Sequence, residues 1–428
     1  MIKTPVPRLV GVTASLRERV RVPSALRYPD FRNYWFGLLA SVTGYQMLVM
    51  FSLGWLIRNE LTGDTRYLGY MSTALAVPAI ILGLFGGVFA DKLNAKRLLG
   101  LAQFATAAVV FALAVMTALD IVTRWHVLVA AFLVGAMQAF DNPTRQSIFP
   151  RLVERKALYS AVALNSSVWT GTRIFAPAIA GVIVGQTDIS TAIFISAAGF
   201  LILSLASQMI RVPHAERARG SVLKEMGAGF AFIRRNRIFS ILIGMTFFNS
   251  FFGMSYVFLM PAFADEVLEV GPEKIGLLIG AAGIGALVGI LISANLGKFR
   301  YKGWLLIGGA IVSGAFLILF ALTSSSKLYE ASLVMLFLAD MGMSTYLMMV
   351  MTTLQVLVPD QFRGRVMGFY ATTWSMIPLG GLLSSQVAYY IGAPVAVAIG
   401  GALVVAFALT IAVGSRRVRA LGSSGEEV

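Results

Sequence analysis

Basic residues in this chain are almost absent from the stretches that are apolar enough to cross a lipid bilayer. Of the 35 lysines and arginines, we place only Arg173 inside such a stretch, and we assign all the others to connections or tails. A charged side chain at the centre of a membrane helix costs about 2.5 to 3.5 kcal/mol on insertion scales. This sorting therefore predicts a polytopic membrane protein.

Composition excludes several other classes of protein. Hydrophobic residues make up 57% of the chain and charged residues 13%, whereas charged residues are about a quarter of a soluble domain. The chain has no cysteine, and its two histidines, His126 and His214, fall in predicted loops. We therefore predict no disulfide, no metal site and no cofactor.

Twelve stretches of the sequence are long and apolar enough to be membrane spans. A helix needs about 20 apolar residues to cross the hydrocarbon core, and lipid offers no hydrogen-bond partner to an open strand. We therefore predict an all-α membrane protein with twelve transmembrane helices. The predicted spans are 34–57, 67–90, 98–120, 125–148, 158–186, 189–211, 239–264, 271–297, 303–323, 328–355, 366–391 and 393–414.

The connections between these spans alternate between strongly and weakly basic. The strongly basic side carries both chain ends and the long loop that holds Arg211 and Arg237. By the positive-inside rule this side faces the cytoplasm. The net charge of +15 then reflects topology and attraction to anionic membrane lipids, and we expect no binding of nucleic acid.

The long loop separates six spans from six, so we predict two six-helix bundles. The expected boundaries are a basic cytoplasmic segment at 1–33, an N-terminal bundle at 34–211, a cytoplasmic linker at 212–238, a C-terminal bundle at 239–414 and a cytoplasmic tail at 415–428.

The two halves also repeat each other in sequence. Sliding the chain against itself lays Leu68-Gly69 over Ile275-Gly276, and the same offset lays Gly86–Leu99 over Ser293–Leu306 without a gap. A nearby offset lays Gln146–Pro150 over a second Gln and Pro pair, Gln355–Pro359. Matches in the same order in both halves predict a parallel duplication, as in many secondary transporters.

The hairpin after the second span resembles the signature of the major facilitator superfamily. That signature has a glycine, then an aspartate and a basic residue, then a glycine and two basic residues. It is matched by Gly87, Asp91, Lys92 and Lys96. Asn94 replaces the usual second glycine and Ala95 a usual arginine, so Lys96 or Arg97 is expected to take over the contact of that arginine.

Other segments resemble one branch of this superfamily, which contains enterobactin exporters and macrolide efflux proteins and is called the transmembrane secretion effectors. These segments are Phe140–Gln146, Pro150–Val153, Phe31–Trp35 and Glu60–Gly63. The resemblance covers about residues 28 to 415. It implies a monomeric efflux transporter of the bacterial inner membrane, of the type that confers multidrug resistance.

Two charged residues lie near the middle of predicted spans, Arg173 in the fifth and Asp340 in the tenth. Asp340 can be a proton-coupling carboxylate, since a partly desolvated carboxylate binds a proton more readily. Alternatively it is a structural acid that pairs with Arg173 or accepts a hydrogen bond from Ser344. Arg173 can anchor an anionic or carbonyl-bearing substrate, serve as a counter-ion to a titrating aspartate, or form a fixed ion pair between the halves.

Asp141, near the cytoplasmic end of the fourth span, is expected to have a gating or structural role. With Asp91, Lys96, Arg97 and Arg145 it can form a cytoplasmic charge cluster. The resemblance implies that this cluster latches the two halves together in the outward-facing state.

Several polar and aromatic residues are candidates to contact a substrate. The resemblance implies that the first, fourth, seventh and tenth spans line the central cavity, which gives Tyr45, Gln46, Gln138, Asn249 and Tyr256. Asn165 and Trp169 share a helix face with Arg173 because they are spaced four residues apart. An aromatic cavity with few polar groups suits a bulky, amphipathic ligand.

These features predict a secondary active transporter that exports amphipathic small molecules, such as drugs, macrolides or siderophores, by proton antiport and alternating access. The sequence has no phosphate-binding ATPase motif, which disfavours ATP-driven transport by this chain alone. The alternative is an importer or a lipid or lysolipid facilitator of the same fold. An enzyme is disfavoured because no nucleophile and base pair, and no metal cluster, stands out among so few ionisable residues.

Overall fold

Helices occupy every position at which the sequence predicts a span. The computed structural model describes residues 23–92, 94–212, 230–296 and 301–421, without the side chains of 84–92, 360, 361 and 364, and the described residues contain no strand. The long helices, in chain order, are α1 (Pro29–Thr62), α2 (Arg66–Lys92), α3 (Ala95–Ala118), α4 (Arg124–Ile148), α5 (Leu158–Gln186), α6 (Ile189–Met209), α7 (Arg237–Leu268), α8 (Pro272–Asn295), α9 (Lys302–Ser325), α10 (Tyr329–Leu357), α11 (Asp360–Thr373), α12 (Met376–Ile391) and α13 (Ala393–Gly414). Within the described part of the chain, 10 helical segments are long and apolar enough to span a membrane.

The eleventh predicted span, 366–391, is wrong as a single helix. It is formed by two helices, α11 and α12, which are separated at Trp374 and Ser375. Pro378 explains the break, because a proline has no N–H and its ring clashes with the carbonyl four residues earlier, here that of Trp374. A turn therefore interrupts the helix where the sequence shows an unbroken apolar run.

The first helix of each half is irregular in the same way. The last part of α1, Leu56–Thr62, is a π-helix, and so is the last part of α7, Phe263–Leu268. The offset that aligns Leu68 with Ile275 also aligns the first residues of these two π-helical segments. The duplication thus extends to local backbone geometry.

Two helix pairs make the most extensive contacts between the halves. Contacts within the N-terminal half connect α1 with α6, α3 with α6 and α2 with α4, and contacts within the C-terminal half connect α8 and α9 with α10 and α9 with α13. Between the halves, α2 packs on α12 and α5 packs on α8. The structure is therefore two bundles of six spans each, related by duplication.

The aligned glycines Gly69 and Gly276 lie at these two interfaces. A Cβ atom on Gly276 would lie 2.8 Å from the Pro177 carbonyl oxygen and 3.1 Å from the Gly181 Cα. A Cβ atom on Gly69 would lie 3.0 Å from the Leu382 Cα. Small residues at both positions let the helix backbones approach closely, as is usual where membrane helices pack.

The hydrophobic core is continuous at one face of the molecule and divided at the other. We call the face that carries the described chain ends the terminal face, and the face with the other hairpin connections the closed face. At the closed face one large cluster contains residues of both halves, among them Ile57, Leu68, Phe263 and Ile275. Toward the terminal face the core consists of two separate clusters, one from each half. The halves are therefore sealed against each other at the closed face.

Candidate substrate and coupling site

The charged group nearest the middle of the helices is centred on Asp340 of α10. Its side chain is buried, at 2% exposure. The hydroxyl of Tyr256, on α7, donates a short hydrogen bond to one carboxylate oxygen. The other oxygen faces Arg173 of α5, whose Nη2 atom lies 3.4 Å away. Two helices of the C-terminal half and one of the N-terminal half therefore meet at a single carboxylate.

Arg173 is the more exposed member of this group, with 32% of its side chain accessible. Its guanidinium carries five N–H donors, and only Nη2 contacts Asp340 among the described residues. α8 passes close by, because a Cβ atom on Gly283 would lie 3.1 Å from the Arg173 carbonyl oxygen. Arg173 can therefore hold Asp340 and still offer donors to another acceptor.

Asp340 can either carry a proton or form an ion pair with Arg173, but not both. An ionised Asp340 accepts from Tyr256 and attracts Arg173 across the two halves. A protonated Asp340 has no charge for Arg173 to pair with, although it can still hydrogen-bond to Tyr256. The structure pairs Asp340 with Tyr256 and Arg173, and not with Ser344, which the sequence offered as an alternative.

A second polar cluster lies inside the N-terminal half. Asp141 and Arg145, one helical turn apart on α4, form a buried ion pair. The amide of Gln103 on α3 donates to the other Asp141 oxygen at 2.8 Å. Ser41 on α1 in turn donates to Gln103 at 2.9 Å. Three helices of one half are thus linked by a chain of hydrogen bonds in low dielectric, where each bond matters more than in water.

Arg145 is not in a connection, as the sequence analysis placed it. It lies within α4 and is buried, with its guanidinium 5.9 Å from the centre of the Trp169 ring. Its Nε and Nη1 atoms have no hydrogen-bond partner in the described part of the chain. The sequence does not indicate this burial, because an arginine one turn from the end of an apolar stretch resembles a residue of the following loop.

The other predicted substrate contacts occupy both halves. In the N-terminal half, Gln46 and Gln138 are buried, and the Tyr45 ring meets the Trp169 ring at 6.3 Å. Asn165 is partly exposed on the same helix as Trp169. In the C-terminal half Asn249 is buried and donates to the Met343 sulfur at 2.9 Å. The buried amide oxygens of Gln46 and Asn249 have no partner among the described residues.

The residues of the predicted gating motif are only partly described. Gly87, Asp91 and Lys92 lie in the last turns of α2, outside the described side chains. The Lys96 ammonium donates to the Gln208 carbonyl oxygen at 2.8 Å, and Arg97 is exposed at the start of α3. In this conformer Lys96 therefore links α3 to α6 within one half, while Asp141 and Arg145 pair with each other.

A further charged group, which the apolar pattern of the sequence does not indicate, joins the halves at the closed face. Arg58 was placed in a connection, but it lies in the π-helical end of α1 with only 5% of its side chain exposed. It pairs with Glu266 and lies 3.7 Å from Asp265, both on α7. Asn59 also donates to Asp265 at 2.7 Å. The internal repeat could have indicated this contact, because the offset that aligns Leu68 with Ile275 also aligns Arg58 with the oppositely charged Asp265.

Two six-span bundles, sealed at one face and joined near mid-depth by Asp340 and Arg173, define a membrane transporter of the major facilitator type. Two solved structures share this fold. A bacterial homolog of the human lysosomal transporter Spinster, solved in an inward-facing and unoccupied conformation, has a TM-score of 0.70 at 15% identity over 92% of this chain and 97% of its own. The nucleoside transporter NupG has a TM-score of 0.69 at 16% identity over 90% and 98%.

Sequence comparison then gives the family. The chain belongs to the transmembrane secretion effector family, which it matches over residues 22–424. It is 27% identical to the staphyloferrin A transporter of Staphylococcus aureus over 74% of this chain and 80% of that protein. It is 24% identical to macrolide efflux protein A of Streptococcus pyogenes over 89% and 94%. It is also 24% identical to the enterobactin exporter of Shigella boydii over 80% and 81%.

Proposed function

We propose that this protein exports amphipathic small molecules across the bacterial cytoplasmic membrane by proton antiport, with both termini in the cytoplasm. The observation that carries the proposal is the contact of Arg173 with Asp340, because it places a titratable carboxylate between the two halves. The names of the relatives support export, since two of the three are efflux or exporter proteins. The basic terminal face supports the orientation.

The coupling step follows from the charges. In the conformer described here Asp340 is paired with Arg173, and that ion pair stabilises the arrangement that is sealed at the closed face. When the Asp340 carboxylate takes up a proton, the ion pair is lost and this conformer is destabilised. A ligand or proton that binds one conformer better than another shifts their populations by that difference. Proton binding at Asp340 therefore biases the rocking of the two halves.

The closed face is the periplasmic side in this proposal, and Arg58 is its gate. Its pairing with Asp265 and Glu266 holds the halves together on that side while the terminal face is divided. In the opposite conformer the gate opens and the terminal face closes. Asp141 and Arg145 would then join the latch with Asp91, Lys96 and Arg97. The Nε and Nη1 donors of Arg145 have no partner among the described residues, which leaves them able to take part.

The substrate in this proposal contacts the aromatic and amide side chains of both halves. Tyr45, Trp169 and Tyr256 offer ring surfaces. The amide oxygens of Gln46 and Asn249 are buried and have no partner among the described residues, so they would accept hydrogen bonds from a substrate once movement of the halves exposes them. Such a lining suits a bulky compound with a few polar groups. Arg173 adds N–H donors for a carbonyl or an anionic group.

The experiment is transport by purified protein in proteoliposomes with an imposed pH gradient. The test panel contains macrolides, lipophilic dyes and catechol siderophores, and the variants are Asp340→Asn and the control Asp120→Asn. Asp120 is a matched control because it lies in the closed-face hairpin between α3 and α4 with φ of 54°, a backbone conformation that asparagine tolerates. We expect gradient-driven accumulation by the wild type and the control, and at least a tenfold loss with Asp340→Asn.

Two outcomes contradict the proposal in different ways. Undiminished gradient-driven transport by Asp340→Asn makes this carboxylate structural. Transport that ignores the gradient, or movement of lysolipid in place of the panel, identifies a facilitator of the same fold.

A further inference from the structure

A groove on the membrane-facing surface of the N-terminal half lies outside the proposed substrate and coupling site, although Arg97 at its mouth also belongs to the proposed latch. It has a volume of about 330 Å³ and lies between α3 and α6 near the terminal face. Its lining is formed by Arg97, Gly100, Leu101, Phe104, Ser204 and Gln208.

The floor of the groove is built by a close approach of two helices. The Ser204 hydroxyl donates to the Gly100 carbonyl oxygen at 2.9 Å. A Cβ atom on Gly100 would lie 2.7 Å from the Gln208 amide nitrogen. A larger residue at position 100 would therefore displace the Gln208 side chain, which is part of the groove lining.

The walls of the groove are apolar and exposed. Leu101 is 67% exposed and Phe104 is 57% exposed. Phe104 lies seven residues beyond Arg97, which is about 10 Å along the helix axis. An acyl chain that enters the groove beside Arg97 would therefore extend along Leu101 and Phe104 into the hydrocarbon region of the bilayer.

The mouth of the groove is basic. Arg97 is exposed in the first turn of α3, and it forms no ion pair with a carboxylate that the structure describes. Lys96, the adjacent residue, is already occupied by the Gln208 carbonyl oxygen. No acidic side chain is part of the described lining. The charge at the mouth therefore complements an anionic group at the level of the lipid headgroups.

The second half does not repeat this feature. The offset that aligns the halves places Trp304 over Arg97, Ile307 over Gly100 and Gly308 over Leu101. In the second half, the positions of the cation, of the glycine in the floor and of one apolar wall residue therefore all carry a different kind of residue. The groove belongs to the N-terminal half alone in this alignment and is not a general product of the fold.

We propose that this groove binds an anionic phospholipid, with the phosphate at the Arg97 guanidinium and an acyl chain along Leu101 and Phe104. Basic recesses between membrane helices on the cytoplasmic side commonly take anionic headgroups. The site would bind a lipid of the bilayer and not a transported compound. This proposal therefore does not depend on whether transport is proton-coupled.

The test measures lipid bound to the purified full-length protein by native mass spectrometry. Phosphatidylglycerol and phosphatidylcholine with identical acyl chains are compared for the wild type, Arg97→Gln and the control Arg417→Gln, which removes one exposed cation elsewhere on the same face. We expect the wild type and the control to prefer phosphatidylglycerol. Arg97→Gln should bind it about fivefold more weakly, the usual contribution of one basic residue near an anionic lipid.

Arg97 is exposed, so its substitution should leave folding intact, and Arg97→Lys should retain most of the preference because it keeps the charge. Equal binding of the two lipids by the wild type would overturn the proposal, as would an unchanged preference in Arg97→Gln. Displacement of the lipid by millimolar inorganic phosphate would also overturn it, because that result describes an ion site without an acyl groove.

Discussion

At the scale of single residues, the proposed coupling mechanism depends mainly on the ion pair of Arg173 and Asp340. The sequence located both residues near mid-depth, because charge inside an apolar span stands out against its neighbours. It could not decide between a pair and two independent groups, since that depends on how α5 and α10 approach each other. It also ranked Tyr256 only as a cavity residue, although the structure makes its hydroxyl a partner of Asp340.

A double-mutant cycle tests this pair. Arg173→Gln should lower the free energy of unfolding by about 1 to 3 kcal/mol, because the buried carboxylate loses its counter-ion. The combination of Arg173→Gln with Asp340→Asn should recover much of that loss, since no buried charge is left alone. Thermal unfolding in detergent at neutral pH measures both effects. Simple additivity of the two single changes would show that the residues do not interact.

At the scale of elements, the sequence predicted helices better than their irregularities. The fifth span was predicted as 158–186 and α5 is Leu158–Gln186, because its apolar run is long and flanked by clear breaks. The division of the eleventh span at Trp374 was missed, although Pro378 is the visible cause. The burial of Arg58 was missed for a different reason, since its partners lie on α7 and sequence distance hides them.

The gate proposed at Arg58 makes a prediction about access at the closed face. A cysteine at Ser72, which is buried where α2 meets α12, reports opening in a chain that has no other cysteine. Arg58→Gln should increase the rate of its alkylation by a maleimide several-fold, because the ties to Asp265 and Glu266 are lost.

The matched control for this gate is Lys327→Gln. Lys327 also forms an ion pair at the closed face, with Glu269 at 2.7 Å, but both residues belong to the C-terminal half. This change should leave the alkylation rate of Ser72→Cys unaltered. Equal rates in Arg58→Gln and the unmodified background would remove Arg58 from the gate.

At the scale of the whole molecule, the duplication was readable in the sequence but the conformer was not. The match of Leu68-Gly69 with Ile275-Gly276 predicted two related halves. Both glycines lie at interfaces between those halves. Which face is sealed depends on the balance between two packings of the same side chains, and this balance leaves no periodic pattern in the sequence. The structure shows it through a core that is shared at the closed face and divided at the terminal face.

The orientation in the membrane is a prediction at this scale. Single cysteines at Lys327 and Arg417 lie on opposite faces of the structure and are both exposed. A membrane-impermeant maleimide added to intact cells should label Lys327→Cys and leave Arg417→Cys unlabelled until the membrane is broken. The reverse pattern would place the termini outside and overturn the charge-based orientation.

The most direct test of alternating access is a pair of spin-label distances in the purified protein. One pair, Tyr159→Cys with Val356→Cys, reports the terminal-face ends of α5 and α10, and the other, Gln186→Cys with Glu330→Cys, reports their closed-face ends. All four positions are exposed. If Asp340 is the coupling carboxylate, acidification should protonate it and remove its ion pair, so the first distance should shorten while the second lengthens. Asp340→Asn should abolish this response.

We expect reciprocal changes at the two faces that depend on Asp340. Distances that stay fixed, that change in the same direction at both faces, or that respond equally in Asp340→Asn would contradict a carboxylate-controlled rocking of the two halves.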